Sequence, residues 1–105
     1  EEHDQIIAFT SQLAHVVSSA YVKSPTSLKH KGFSAGSYKD LSRVAKLNET
    51  MWTELFLLNR ENLVNEIDGM IERLQEYRDA IFEANEKDLC ALLREGTERK
   101  VLIDG

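Results

Sequence analysis

The stretch ENLVNEIDGMIERLQEYRDAIFEA (residues 61–84) decides the fold class of this chain. Its apolar residues recur at alternating spacings of four and three: Leu63, Ile67, Met70, Leu74, Tyr77 and Ile81. This spacing puts them on one side of an α-helix, because residues three and four apart lie one above the other. Three more apolar residues widen that side: Val64, Ile71 and Phe82. The stretch therefore predicts one long central helix.

The broad apolar face of this helix has two interpretations. It is covered by the same chain if the helix is the centre of a monomeric bundle. It is covered by a second copy if the chain forms a dimer with this helix at the contact. A chain of 105 residues can use such a face in either way. Periodicity alone leaves both interpretations open.

The rest of the chain is also predicted to be helical, because no segment shows the sustained apolar/polar alternation of a strand. We expect an all-α fold of about five helices in a bundle. The predicted helices are residues 4–22, 38–47, 49–58, 61–84 and 86–94, the last with an extension to 102 left open. Asn48 is expected to cap the third helix. Ser24-Pro25 should end the first, and residues 24–37 are predicted to be one long loop.

The inward faces of the first and third helices can also be predicted from spacing. On the first helix the apolar stripe is Ile6, Phe9, Leu13, Val16, Val17 and Ala20, and on the third it is Met51, Trp52, Leu55 and Phe56. The burial of the one cysteine, Cys90, can also be predicted from its neighbours in the sequence. It is surrounded in sequence by leucine and alanine, so we predict a buried, reduced thiol.

Length and charge exclude several classes of function. We expect one domain at 105 residues, and the net charge of −5 argues against nucleic acid as a partner. No apolar run approaches the roughly 20 residues that span a bilayer, and there is no secretory signal pattern. With one cysteine, the expected location is the cytoplasm. Because the first residue is Glu and not Met, we interpret the chain as part of a longer protein.

Arg43 is the first candidate for a binding role. It lies in the stretch GFSAGSYKDLSRVAKLNETMW (residues 32–52), in a predicted helix with several apolar neighbours. A guanidinium in a partly buried helix usually meets an anion, and its planar fork suits a carboxylate. Asp40, three residues earlier, lies on the same helical face and is a possible partner. The pattern predicts a site for a small organic acid, although snorkelling or pairing with an acid is the more frequent role of such an arginine.

Metal and dinucleotide sites are not expected in this chain. His3 and His15 are twelve residues apart, about three and a third helical turns, so they do not share one helix face. No further metal-ligating residue follows these histidines at the spacing of a zinc site, so we predict that the chain binds no metal. The sequence also lacks a GxGxxG motif after a strand, so a nicotinamide cofactor is not expected to bind mainly here.

Two motifs carry a family resemblance. HDQIIAFTSQLAH (residues 3–15) and KGFSAGSYKDLSRVAKLNETMW (residues 31–52) resemble the C-terminal domain of prephenate dehydrogenases. That family carries HD-x3-A-x2-S-H-x2-H, then a glycine-rich turn, (R/K)-D-x-(T/S)-R-(I/V)-A, and M-W. This chain departs from the pattern at Gln12, where the family commonly has histidine, and at Ala14, where it often has proline.

The resemblance implies that residues 1–105 are the helical dimerisation and substrate-binding domain of such an enzyme. It favours the dimer interpretation, with helices interlocked across the two-fold axis. The whole enzyme would convert prephenate to 4-hydroxyphenylpyruvate by NAD- or NADP-dependent oxidative decarboxylation, in tyrosine biosynthesis. Two alternatives are an arogenate dehydrogenase domain, which shares the fold, and a non-enzymatic helical dimerisation module.

The resemblance also implies residue roles. Arg43 would bind a carboxylate of prephenate, and His15 would lie close to it in the substrate pocket. The remaining substrate-site candidates are His3, Gly36, Asp40 and Trp52. Gly36 in particular is expected to let the backbone approach a ligand closely. The catalytic residues and the NAD(P) site would belong to a nucleotide-binding domain outside residues 1–105, so we predict that this chain alone is inactive.

Overall fold

The computed structural model describes residues 2–29 and 35–105, and within them every regular element is a helix. Helix α1 consists of three consecutive pieces, Glu2–Ile7, Ala8–Leu13 and Ala14–Val22, of which the middle one is π-helical. The other helices are α2 (Gly36–Ser42), α3 (Glu49–Leu58), α4 (Arg60–Phe82) and α5 (Glu86–Asp104). The prediction of an all-α chain with about five helices and one long helix is confirmed.

The chain divides into two compact units, Glu1–Ile67 and Asp68–Gly105, and α4 runs through the boundary. The first unit holds α1, α2, α3 and the start of α4. Its buried apolar residues are Ala8, Leu13 and Leu63. The second unit holds the rest of α4 and α5, with Ala80 buried and the Tyr77 hydroxyl donating to the Leu92 carbonyl at 3.2 Å. The candidate site described below belongs entirely to the first unit.

The predicted loop at residues 24–37 is partly wrong. Helix α1 does end at Val22, before Ser24-Pro25, as predicted. A 3-10 helix then covers Pro25–Lys29, and α2 already begins at Gly36. Proline is compatible with the first position of such a turn because its φ is already helical. Residues 30–34 of the predicted loop, including Gly32, lie outside the described residues.

Helix α2 ends five residues earlier than predicted. Its last residue is Ser42, and the chain then turns, with the Ala45 N–H donating to the Ser42 carbonyl at 3.0 Å. A short helix has few hydrogen bonds to set against its nucleation cost. Val44, Ala45 and Leu47 are half-buried here in a turn and connector, and not in a helix. Arg43 therefore lies at the end of α2 and is exposed, whereas the sequence predicted a partly buried helical position.

The caps of α3 and α5 are built from asparagine. The Asn48 side-chain oxygen accepts from the Met51 N–H at 3.0 Å, as predicted, and Asn85 accepts from the Asp88 N–H at 3.0 Å. Both asparagines thereby satisfy an N–H that has no partner within its own helix. Because of these caps, the starts of α3 and α5 are fixed by local sequence.

Replacing Asn48 with alanine is expected to lower the free energy of unfolding by about 1 kcal/mol, the usual cost of losing such a cap. Urea unfolding followed by circular dichroism measures the change. Asn65→Ala is the matched control, because Asn65 is an exposed position inside α4 and not a cap. A loss of equal size in both variants would show that the Asn48 cap contributes nothing of its own.

Much of the apolar surface predicted to face inward is uncovered in the single chain. On α1 the exposed fractions are 52% for Ile6 and 53% for Phe9, and on α3 Met51 and Leu55 are also exposed. On α4 five residues of the predicted apolar face are exposed: Val64, Ile71, Leu74, Ile81 and Phe82. The prediction was wrong for these residues within one copy, because the chain offers too few elements to cover them. Cys90 is likewise exposed, not buried.

In residues 2–29 and 35–105, no helix is both long and apolar enough to cross a membrane.

Candidate functional site

A cavity of about 370 Å3 lies beside α1 and α3 in the first unit. Its walls come from the second half of α1, the connector before α3, and the first two turns of α3. The lining residues are His15, Val16, Ser19, Ala20, Lys23, Leu47, Glu49, Trp52, Thr53 and Phe56. Two of the sequence-predicted site residues, His15 and Trp52, meet here.

A stack of rings forms one wall of this cavity. The His15 and Trp52 ring centroids are 4.1 Å apart with 25° between the ring planes, and Trp52 is followed by Phe56 at 5.6 Å in a tilted arrangement. Trp52 and Phe56 are four residues apart on α3, so helical geometry puts them on one face. His15 reaches them from α1 and is half-buried. Together the rings make a flat, partly apolar surface that suits a planar or cyclic ligand.

The hydrogen bond of His15 fixes its tautomer. Nδ1 lies 2.7 Å from the Ser11 carbonyl oxygen, one turn earlier on α1. Because a carbonyl can only accept, Nδ1 must carry the proton and donate it. In the neutral ring Nε2 is then the atom with a free lone pair, and in the protonated ring it becomes a second donor. His15 is thus a satisfied, half-buried histidine that keeps one ring nitrogen for another group.

Two charged side chains also line the cavity: Lys23, at the end of α1, and Glu49, in the first turn of α3. Lys23 presents a compact cation that suits a carboxylate or phosphate. Glu49 at a helix N-terminus is favourably placed relative to the helix dipole. The cavity therefore combines an aromatic wall with one cation and one anion. This combination can bind a small cyclic acid that also carries a hydrogen-bonding group.

Arg43 and Asp40 lie outside the lining of this cavity. Both are exposed, and the described residues show no ion pair between them, so the predicted intrahelical pair is not formed. Arg43 precedes Leu47, a lining residue, by four positions. The structure thus leaves the Arg43 guanidinium solvated at the end of α2.

Gly36 and His3 are also separate from the cavity in this chain. Gly36 is the first residue of α2, and a Cβ placed on it would meet nothing within 4 Å. The fold itself therefore does not require glycine at this position. His3 is exposed near the start of α1, with Nδ1 3.7 Å from a carboxylate oxygen of Asp4. The described residues bring no three His, Cys, Asp or Glu side chains together, and the absence of a metal site stays a prediction.

Sequence reasoning missed the polar link between α1 and α3. Gln12, in the π-helical piece of α1, is 5% exposed, although it is a polar residue. Its Nε2 donates to the Leu55 carbonyl at 3.2 Å, and its Oε1 accepts from Asn59 Nδ2 at 2.9 Å. The sequence does contain one signal for this burial, since Gln12 follows Ala8 by four residues and so lies on the same side of the helix. The signal can be interpreted only when the helix that packs against this side is known.

Comparisons with known proteins place the chain in a family. The model of the family described as "Prephenate dehydrogenase, dimerization domain" matches residues 1–95. The chain is 32% identical to a cyclohexadienyl dehydrogenase from Zymomonas mobilis over 87 residues, 77% of this chain and 30% of that protein. It is 24% identical to a prephenate dehydrogenase from Bacillus subtilis over 94 residues, 85% of this chain and 25% of the relative.

Another relative is a prephenate dehydrogenase from Lactococcus lactis, 30% identical over 83 residues, or 72% of this chain and 23% of that protein. Among solved structures, the Synechocystis arogenate dehydrogenase superposes with a TM-score of 0.85 at 23% identity, over 97% of this chain and 39% of the other. This last similarity confirms the fold. The chain spans between 23% and 30% of the length of the curated relatives it matches.

Proposed function

The chain belongs to the family of prephenate dehydrogenase dimerization domains, and we propose that it is the dimerisation and substrate-binding part of a prephenate dehydrogenase. The whole enzyme would convert prephenate to 4-hydroxyphenylpyruvate by oxidative decarboxylation with NAD or NADP, in tyrosine biosynthesis. The observation that carries the proposal is the cavity in which His15 stacks on Trp52, since both residues were assigned to the substrate site from sequence motifs alone.

The cavity supplies groups for binding and orientation. Prephenate is a six-membered ring with two carboxylates, so the ring stack would contact its ring and Lys23 would attract a carboxylate. His15 Nε2 would accept or donate a hydrogen bond according to the charge of the ring, since Nδ1 is already bonded to Ser11. Hydride transfer from the carbon bearing the hydroxyl is coupled to loss of CO2, and the gain of aromaticity drives it.

Arg43 would bind the other carboxylate at the open side of the site. It is a free cation in the described part of the chain, with no ion pair to a neighbouring acid. The remaining walls would come from the rest of the enzyme or from a second copy, because a solvated guanidinium binds anions weakly until water is excluded. Asp40, Gly36 and His3 would complete this side of the site.

The second copy is part of the proposal. The apolar residues on α4 have exposed fractions of 56% for Ile71, 58% for Leu74 and 61% for Ile81. Apolar surface of this extent is usually covered by a partner. We propose a homodimer that covers α4, located in the cytoplasm.

The cofactor would bind mainly outside this chain. No GxGxxG motif occurs in the sequence, and the described residues contain no strand that would carry such a motif into a helix. When bound, NAD or NADP would supply the hydride acceptor. The residues of this chain would hold and orient the substrate towards it.

The 105-residue chain by itself is expected to fold and to show neither dehydrogenase activity nor binding of NAD at millimolar concentration. Calorimetric titration with NAD is the measurement, and circular dichroism checks that the helices are present. The same titration with prephenate should show weak binding, because only part of the pocket wall is available. Saturable NAD binding that persists in an Arg43→Ala variant would show that a cofactor site lies within this chain.

Two alternatives are separated by steady-state kinetics of the full-length protein. An arogenate dehydrogenase would give the higher kcat/KM with arogenate, which carries an amino group where prephenate has a keto group. A non-enzymatic dimerisation module would turn over neither compound. Turnover of prephenate with the higher kcat/KM is the result expected here.

A further inference from the structure

Gln12 connects α1 to the end of α3 through both ends of its side-chain amide. The Nε2 atom donates to the Leu55 carbonyl at 3.2 Å, and Oε1 accepts from Asn59 Nδ2 at 2.9 Å. Asn59 also donates to the Asp4 carbonyl at 3.0 Å and accepts from Asn62 Nδ2 at 2.9 Å. Gln12 is 5% exposed, so these bonds are made away from bulk water, where an unmade bond is costly.

The acceptor at Leu55 is available for a structural reason. In a continuing α-helix, the Leu55 carbonyl would accept from the N–H of Asn59. At the end of α3, the Asn59 N–H instead donates to the Phe56 carbonyl at 3.2 Å, because Asn59 leaves the helical region with φ −115° and ψ 32°. The Leu55 carbonyl is thereby released from the helix ladder. Gln12 satisfies it from a different helix and so acts as a cap on α3.

This polar link lies one turn away from the ring stack on both helices. Gln12 precedes His15 by three residues on α1, and Trp52 precedes Leu55 by three residues on α3. Residues three apart lie on the same helical face. The Gln12–Leu55 bond and the His15–Trp52 stack are therefore two neighbouring connections between the same pair of helices. A slide or rotation of α1 against α3 that breaks one of them displaces the other.

We propose that Gln12 is a positioning residue that sets the register of α1 against α3 and thereby holds the His15 ring on Trp52. The link does not titrate, since an amide has no charge to gain or lose. Two charged groups, Lys23 and Glu49, also line the cavity beside these rings.

The proton NMR spectrum of His15 tests this role directly. Trp52 is the only tryptophan of the 105-residue chain, and the protons of a ring stacked on an indole are shifted upfield by its ring current. The His15 ring protons should therefore lie upfield of their positions in an unstacked histidine. Trp52→Leu should remove most of this upfield shift, which identifies Trp52 as its source.

Gln12→Met is the decisive variant, because methionine has a similar length and flexibility but cannot make either hydrogen bond. We expect the upfield shift of the His15 ring protons to fall at least about threefold, while circular dichroism still shows a helical chain. Gln5→Met is the matched control on α1, at an exposed position, and should keep the full upfield shift. A folded Gln12→Met chain with the full upfield shift would overturn the proposal, since Gln12 would then only fill space.

If Gln12→Met does not fold, Gln12→Asn decides the question. This variant keeps a polar amide on α1, but its side chain is one methylene shorter and cannot reach both the Leu55 carbonyl and Asn59 Nδ2. A reduced upfield shift of the His15 ring protons supports the proposal, and an unchanged one overturns it. Either measurement is independent of any enzymatic activity.

A consequence for catalysis rests on the proposed function. In the full-length enzyme, Gln12→Met should raise the KM for prephenate about tenfold and change kcat less than about twofold, because the ring stack contributes binding and not chemistry. A lost upfield shift of the His15 ring protons with an unaltered KM would confirm the positioning role of Gln12. The same result would count against the assignment of His15 and Trp52 to the substrate pocket.

Discussion

Replacing Arg43 with alanine in the full-length enzyme is expected to raise the KM for prephenate by roughly 10- to 150-fold. The range corresponds to about 1.5–3 kcal/mol, the usual contribution of a hydrogen bond to a charged group. The KM for the nicotinamide cofactor should barely change, since the cofactor is proposed to bind elsewhere. Steady-state kinetics with each substrate varied in turn measures both constants.

The size of the effect also tests where Arg43 is in the working enzyme. In the single chain Arg43 is exposed, and an ion pair between exposed groups contributes less than about 1 kcal/mol, which is about fivefold. An increase above tenfold therefore requires that the rest of the enzyme or a second copy encloses the site around Arg43. Arg43→Lys should recover only part of the loss, because an ammonium cannot form the planar two-point contact.

Lys46→Ala is the matched control, since it removes the same charge from an exposed position three residues later. Its KM for prephenate should stay within about twofold of the parent value, in the range expected for a lost surface charge. Equal increases in the KM for prephenate and for the cofactor in Arg43→Ala would point to a folding defect and contradict the binding role.

Replacing Leu74 with aspartate is expected to convert a dimer into a monomer. The leucine lies at the centre of the exposed apolar side of α4, between Ile71 and Ile81, and is itself 58% exposed. If a second copy covers this side, the two carboxylates of the dimer would be buried without partners, at a combined cost of at least about 4 kcal/mol. That cost corresponds to a roughly thousandfold weaker association. Multi-angle light scattering at micromolar concentration gives the mass directly.

The parent chain should show twice its mass of 12.0 kDa, and Leu74→Asp should show the mass of one copy. Asn65→Asp adds the same charge to α4 at an exposed polar position and should remain a dimer. Circular dichroism should show that both variants keep their helices. A parent chain that has only monomer mass at these concentrations would disprove the dimer, and a dimeric Leu74→Asp chain would place the contact away from this part of α4.

Most helix boundaries of this protein are determined by its sequence, because the interactions that begin and end these helices are local. The four-three spacing on residues 61–84 predicts α4 within two residues at either end, and Asn48 predicts the start of α3 through a hydrogen bond to Met51. Pro25 ends α1 by restricting the residue before it. The motifs around His15 and Trp52 likewise allow the family to be identified from sequence.

Tertiary structure alone decided how these residues meet. His15 and Trp52 are 37 positions apart, and their stack depends on the packing of α1 against α3, which local propensity does not encode. The same packing buries Gln12, whose polarity alone would predict exposure. The end of α2 was mispredicted for a related reason. The chain turns after Ser42 and leaves Arg43 in solvent, because a short helix depends on its neighbours more than on its own residues.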